Sequence, residues 1–269
     1  MVLKPPKFSR DVIKGGLIGA SMLIPGLSGG TMAIVLNIYD RLMNAVGNLF
    51  KDLKSNLIFL FRVAVGGIFG MILFSKLILS LAETYPQPMM SVFIGVVLGS
   101  LPALLKKAAL TKKRWFNLFF MLPGAVASLS LNFLPSSVFS YSYGLEGFLI
   151  CVLCGFIIAV ALILPGISTS HALLLLGMYE KVWQSVSDMD FLFLLPLLIG
   201  CAAGVLLLTR AFSFLLCRFQ TQSYCLIAGF VMGSVYEMLP SSPQGFMLCV
   251  CILCFVLGFG FIFMVSRHI

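Results

Sequence analysis

Ile24-Pro25-Gly26-Leu27-Ser28-Gly29-Gly30-Thr31 has a second copy later in the chain, Leu164-Pro165-Gly166-Ile167-Ser168-Thr169-Ser170-His171. The two stretches align without a gap as far as Tyr39-Asp40-Arg41 and Tyr179-Glu180-Lys181. The match then resumes at a slightly shorter offset. Gly66, Gly70, Lys76, Gly95, Gly99 and Ser100 correspond to Gly200, Gly204, Arg210, Gly229, Gly233 and Ser234. Drift among apolar residues would not keep glycines, a serine and a lone cation in step. The chain therefore reads as a duplicated unit, and its two Pro-Gly-x-Ser breaks point to a binding site.

The setting of these breaks is lipid. Of 269 residues, 60% are hydrophobic and 10% charged, and the mean hydropathy is +1.09. A soluble domain of this size would carry far more polar surface. The 25 glycines, many in Gly-x-x-x-Gly spacing, suit helices that approach closely in a bilayer. The net charge of +9 sits in loops, where it reads as a topology signal and excludes a nucleic-acid partner. The eight cysteines lie between Cys151 and Cys254 inside apolar stretches. They read as small helix residues and not as a metal or redox centre, despite two C-x-x-C spacings.

At about 20 residues per crossing, full spans are predicted at 61–82, 89–105 and 115–134, and again near 191–217, 223–240 and 246–265. Each set is preceded by a broken apolar element, 12–46 and 147–180, read as a re-entrant helical hairpin. Irregular backbone at membrane depth is tolerated only where protein or a polar cavity satisfies it. The piece 147–164 is itself long enough to cross. The predicted fold is thus all-α and polytopic. It comprises residues 1–10 as a cytoplasmic tail, 11–134 as a first unit, 135–146 as an external connection and 147–269 as a second unit. Three crossings per unit would invert the second unit relative to the first. Loop charge agrees. Lys4, Lys7, Arg10 and Lys14, then Lys51, Lys54 and Arg62, then Lys106 to Arg114, then Arg218 and Arg267 fall on one side, taken as the cytoplasm, with both termini. Lys181 is the exception.

Proline removes a backbone donor and glycine permits the sharp turn that follows. Small hydroxyl residues then open new half-helices, with Ser28 or Gly29 as one N-cap and Ser168 or Thr169 as the other. Helix starts present unpaired N–H groups and positive dipole ends. Two of them meeting would cradle a phosphate or carboxylate. The phosphate-binding set predicted is Ser28, Gly29, Gly30, Thr31, Ser168, Thr169 and Ser170, turned by Pro25, Gly26, Pro165 and Gly166. Lys76 and Arg210, matched cations inside spans, are counter-charges to that anion or snorkel to the interface. His171, Asp40 and Glu180 are candidate proton carriers; the bland reading makes them hydrogen-bonded structural groups. No metal site, cofactor or catalytic residue is expected.

At these motifs the chain resembles the PopT family of polyprenyl-phosphate transporters. The likeness rests on residues 24–31 with Tyr39-Asp40, and on residues 164–168 with Gly177-Met178-Tyr179-Glu180. It implies that undecaprenyl phosphate is returned from the outer to the inner leaflet of the bacterial cytoplasmic membrane for cell-wall polymer synthesis. Under that reading a proton or sodium gradient drives the step, and a homo-oligomer is compatible with it. Two other classes use similar parts. A BacA-type undecaprenyl pyrophosphate phosphatase has an arginine after the motif serine and a glutamate-rich motif, whereas Gly29 and Thr169 stand here. A small-anion transporter would use the same helix ends for a soluble substrate.

Overall fold

The computed structural model describes residues 8–23, 28–108, 115–131, 133, 144–167, 169–239 and 243–268. The regular elements among those residues are all helices, and they run in the same order twice. The first unit holds α1 (Phe8–Ser21), α2 (Gly29–Val35), α3 (Tyr39–Gly47), α4 (Leu53–Thr84), α5 (Pro86–Lys107) and α6 (Met121–Leu131). The second holds α7 (Leu145–Ile163), α8 (Thr169–Leu175), α9 (Tyr179–Ser187), α10 (Phe191–Arg218), α11 (Gln220–Ser234) and α12 (Phe246–His268). Short 3-10 turns precede α6 and follow α11. Five helices, α4, α5, α7, α10 and α12, are long and apolar enough to cross a membrane. Their outer faces carry large exposed side chains such as Phe61, Phe69, Ile72, Leu198, Leu207 and Phe261, a surface that only lipid solvates well.

The two broken elements differ in their first limbs. α1 has 14 residues and carries Arg10, Asp11 and Lys14, so it is too short and too polar to span. α7 has 19 residues, with Glu146 in its first turn as the one charge, and is long enough to cross. That agrees with the reading of 147–164 as a piece long enough to cross. The region predicted as a span at 223–240, by contrast, departs from the expectation. α11 stops at Ser234 after 15 residues, because it is a core helix: Tyr224, Cys225, Ile227, Ala228 and Val231 are all buried.

The in-step glycines mark close helix crossings. α1 lies along α4 and α7 lies along α10. A Cβ on Gly66 would strike the Val12 carbonyl, and one on Gly200 the Val152 carbonyl. The later helices pair across the units, α5 with α12 and α11 with α6. There Gly95 abuts Phe255, and Gly229 abuts Met121. These two aligned pairs, Gly66 with Gly200 and Gly95 with Gly229, thus sit at the same kind of contact in both units, where a side chain would separate two backbones. The central core forms where α2, α3, α5 and α11 meet, around Ile34, Leu36, Tyr39, Val97, Leu104 and Val231. A second cluster joins α7 to α10 through Cys151, Cys154, Phe193 and Leu197. Those cysteines are free packing residues, and among the described residues no group of side chains could hold a metal ion.

The turns ending α2 and α8 also repeat. Asn37 and Gly177 both take positive φ, 53° and 70°. The N–H of Ile38 bonds the Ala33 carbonyl, and that of Met178 the Leu173 carbonyl, at 2.9 and 3.0 Å. This is the six-to-one closure of a helix C-terminus through a left-handed residue. Glycine and asparagine adopt that conformation at least cost.

Gly66→Leu should separate α1 from α4, since the opposing atoms are backbone and cannot rotate away. Overpacking of this kind costs about 1–3 kcal/mol or more, read as a lowered Tm and a loss of monodisperse protein in detergent. Gly260→Ala is the control, because nothing lies within 4 Å of a Cβ there, and its Tm should stay near that of the parent protein.

Candidate functional site: two facing turns

The start of α2 meets the Pro165-Gly166 turn in space. Ser28 is the N-cap of α2, with extended backbone at φ −79°, ψ 147°. Its Oγ accepts the N–H of Thr31 at 3.3 Å and lies 3.2 Å from Thr31 Oγ1. The same Oγ accepts the N–H of Gly166, in the other break, at 3.1 Å. Gly30 faces Pro165: a Cβ on Gly30 would lie 3.3 Å from Pro165 Cγ. A second link runs beside the first. The buried Tyr39 hydroxyl donates to the Ile163 carbonyl at 2.9 Å, satisfying an acceptor that the end of α7 leaves over. Residues of the first unit therefore hold the break in the second.

Gly166 has φ +90°, and a Cβ there would come within 2.8 Å of Phe230 and Val231 in α11. Sterics and backbone conformation both demand glycine at this position. Ser28, Gly29 and Gly30 are half-buried, Thr31 is buried, and Thr169 is half-buried at the start of α8. The site offers a serine hydroxyl hydrogen and the first N–H groups of α2 at a place where the two units touch. Pro25, Gly26 and Ser168 lie outside the described residues, as do the side chains of Ser170 and His171.

The charged candidates sit elsewhere. Lys76 is on the exposed face of α4 beside Leu73 and Leu77. Arg210 is exposed and its Nε donates to the Gly47 carbonyl at 3.0 Å, tying α10 to the end of α3 across the units. Glu180 is exposed near the start of α9. Asp40 accepts from the Tyr224 hydroxyl at 2.8 Å and pairs with Lys107 at 2.7 Å. It thereby pins α3 to the end of α5 and the start of α11. Its neighbours are engaged elsewhere: Arg41 bonds Asp11 and Tyr39 bonds Ile163.

Sequence reasoning passed over the Asp11 group. Asp11 is buried in α1 and stands 3.3 Å from Arg41 Nη1 and 3.7 Å from Arg62 Nη1. Lys14, a turn later, donates to the Leu36 carbonyl at 2.7 Å and clasps α1 to the end of α2. The repeat gave no pointer to this group, because α7 has no internal acid or cation to match. The available signal was different: a lone carboxylate within an apolar helix needs a partner.

An all-helical, multi-pass membrane protein with two facing helix breaks is the class that this fold and site define. The model of the VCA0040-like family, described as undecaprenyl phosphate translocase-like, matches residues 18–245, and the chain belongs to that family. Two curated relatives carry the description polyprenyl-phosphate transporter. One, from Vibrio cholerae serotype O1, is 31% identical over 255 residues, covering 89% of this chain and 80% of the relative. The other, from Staphylococcus aureus, is 29% identical over 270 residues, covering 93% of each. No solved structure matches.

Gly166→Ala and Ser28→Ala test whether the turns depend on each other. Ser28→Ala removes a cap worth about 0.5–2 kcal/mol and strips Gly166 of its acceptor as well. Gly166→Ala adds a clash with α11 to an unfavourable φ. Both should lower the Tm in detergent, Gly166→Ala by more; Ser28→Thr, which keeps the oxygen, should recover most of the loss.

Proposed function

We propose that this protein carries a polyprenyl phosphate, undecaprenyl phosphate in particular, across the bacterial cytoplasmic membrane from the outer to the inner leaflet. The contact between Ser28 of one break and Gly166 of the other is the observation that supports this reading most directly. It joins the N-cap of α2 to the turn that precedes α8, which supports a shared location for the two helix starts. Family membership and the names of the two relatives support the substrate. In this reading the second unit is inverted relative to the first, the broken elements re-enter the membrane, and both termini face the cytoplasm.

The chemistry follows from the head group. A lipid phosphate has an anionic head that hydrocarbon rejects and a tail that can remain in lipid throughout. The protein need only lower the cost of moving the head. The N–H groups of Gly29 and Gly30, the Ser28 hydroxyl and their counterparts at Ser168, Thr169 and Ser170 supply donors without a net charge. Exchange of the Ser28–Gly166 bond for bonds to phosphate oxygens would couple ligand arrival to a change in how the two units meet. Alternating exposure of one central site then requires no second site.

Inward return of an anion runs against an inside-negative potential by about 2.3 kcal/mol per charge for every 100 mV. A proton or sodium gradient supplies the difference. Asp40 is already held by Tyr224 and Lys107, which favours an anchoring role for it. The carrier role is assigned to His171, with Glu180 as the alternative. Arg210 and Lys76 act as tie and interfacial anchor in this scheme.

The test is made in cells lacking other lipid-phosphate transporters. Outer-leaflet lipid phosphate is measured with an impermeant probe. Ser28→Ala and Ser168→Ala should each raise that pool several-fold at equal protein level, and His171→Ala should abolish its response to collapse of the proton gradient. Normal recycling in both serine variants would remove the central site from the scheme.

A further inference from the structure

Two clefts meet at Arg62. One, of about 410 Å³, is of mixed character and carries the charged residues Arg41, Asp52, Lys54 and Arg62 beside Ile58 and Phe59. The other, of about 480 Å³, is an apolar groove walled by Phe8, Leu57, Ile58 and Phe61, with Arg62 at its edge. Ile58 and Arg62 belong to both. The clefts lie on α1, α3 and α4, apart from the facing turns, and no role in the transport scheme has yet been given to them.

The two arginines are held ready but differ in how fully they are used. Asp11, with 3% of its side chain exposed, lies behind them and bonds Arg41. The Arg41 guanidinium also stacks 3.8 Å from the Phe59 ring centre. Arg62 is 3.7 Å from the other Asp11 oxygen, beyond hydrogen-bond reach, and 5.0 Å from the Phe8 ring centre. Its Nε and Asp11 Oδ2 are both buried without a hydrogen-bond partner. A guanidinium with five donors and no hydrogen bond among the described residues is a poor way to stabilise a fold and a good way to bind an anion. Three cations face two carboxylates around the charged cleft, so an incoming anion meets positive charge.

We propose that this junction is a docking site for a lipid phosphomonoester, with the phosphate in the cleft between Arg62, Arg41 and Lys54 and the chain in the groove of Phe8, Leu57 and Phe61. Arg62 forms a wall of both spaces, so charge and hydrocarbon have to be adjacent in the ligand. A prenyl phosphate meets that condition, because its apolar chain starts at the phosphate ester. A glycerophospholipid inserts a glycerol diester between the two. The phosphomonoester also presents three acceptor oxygens and close to two negative charges, matched to a forked donor and a neighbouring ammonium. Asp11 is a positioning residue: it keeps two like-charged guanidiniums side by side. The site rests on the transport reading above, which puts this basic end at the cytoplasmic face. There it would receive the head group after transfer.

The experiment uses the purified full chain in nanodiscs and farnesyl phosphate bearing a photoreactive group on its chain. Cross-linked peptides should map to residues 8 and 57–61. Unlabelled farnesyl phosphate should compete, and farnesol, inorganic phosphate and phosphatidylglycerol should each be at least tenfold weaker competitors. Arg62→Gln should cut labelling at these residues about tenfold. Lys54→Gln and Phe61→Ser, both at exposed positions and harmless to the buried pair, should cut it several-fold. Unchanged labelling in all three variants overturns the site. So does phosphatidylglycerol competing equally, which would mark a general anionic-lipid surface, or inorganic phosphate competing equally, which would mark a free-phosphate site. Labelling confined to residues 28–31 and 165–167 overturns it as well and leaves the transport reading standing. Normal labelling at the cleft in a protein that moves no lipid phosphate in cells would strike the transport reading alone.

Discussion

A helix broken inside an apolar protein leaves N–H and C=O groups that lipid cannot satisfy, and here two such groups of the second break find their partners in the first unit. Ser28 Oγ takes the Gly166 N–H and the Tyr39 hydroxyl caps the Ile163 carbonyl. A buried orphan of this kind costs about 1–3 kcal/mol, and more with no water at hand. The break in the second unit is therefore stable only while the first is docked against it. The remaining architecture keeps that docking in place. α5 pairs with α12 and α6 with α11, so neither unit completes its own packing.

The same constraint bears on the site proposed at the seam. Donors capped within one helix would be permanently occupied. Donors capped by the other unit can be released when the units shift, because a shared hydrogen bond is the one that relative motion breaks. Close small-residue contacts occur within each unit, Gly66 on Val12 and Gly200 on Val152, and also between the units, Gly95 on Phe255 and Gly229 on Met121. The Asp40–Tyr224 and Arg210–Gly47 bonds connect the units at their edges, where long side chains can follow a change in spacing.

Polar chemistry away from the seam is strongly asymmetric. The Asp11, Arg41 and Arg62 group and the Asp40, Lys107 and Tyr224 group both centre on the first unit. The second unit has uncharged or apolar residues at most of the corresponding places.

Much of this was legible in the chain. Helix limits at 53–84, 86–107, 191–218 and 246–268 fall close to the hydropathic spans, because length and apolarity suffice to define a crossing. The breaks at Pro25 and Pro165 were equally plain, since proline and glycine act locally. Local chemistry could not say that Ser28 caps Gly166, that Arg210 bonds Gly47 or that Asp11 gathers Arg41 and Arg62. Those contacts join residues far apart in sequence, and the 3.6-residue period is blind to which helix lies opposite. It could not tell α11, a buried core helix, from a lipid-facing span either, as both are apolar on every side. The sequence alone determined a duplicated, membrane-dissolved set of helices with two breaks. Tertiary packing decided which orphan donor meets which acceptor, because in a dry interior that choice belongs to whatever polar group the opposing helix brings within 3 Å.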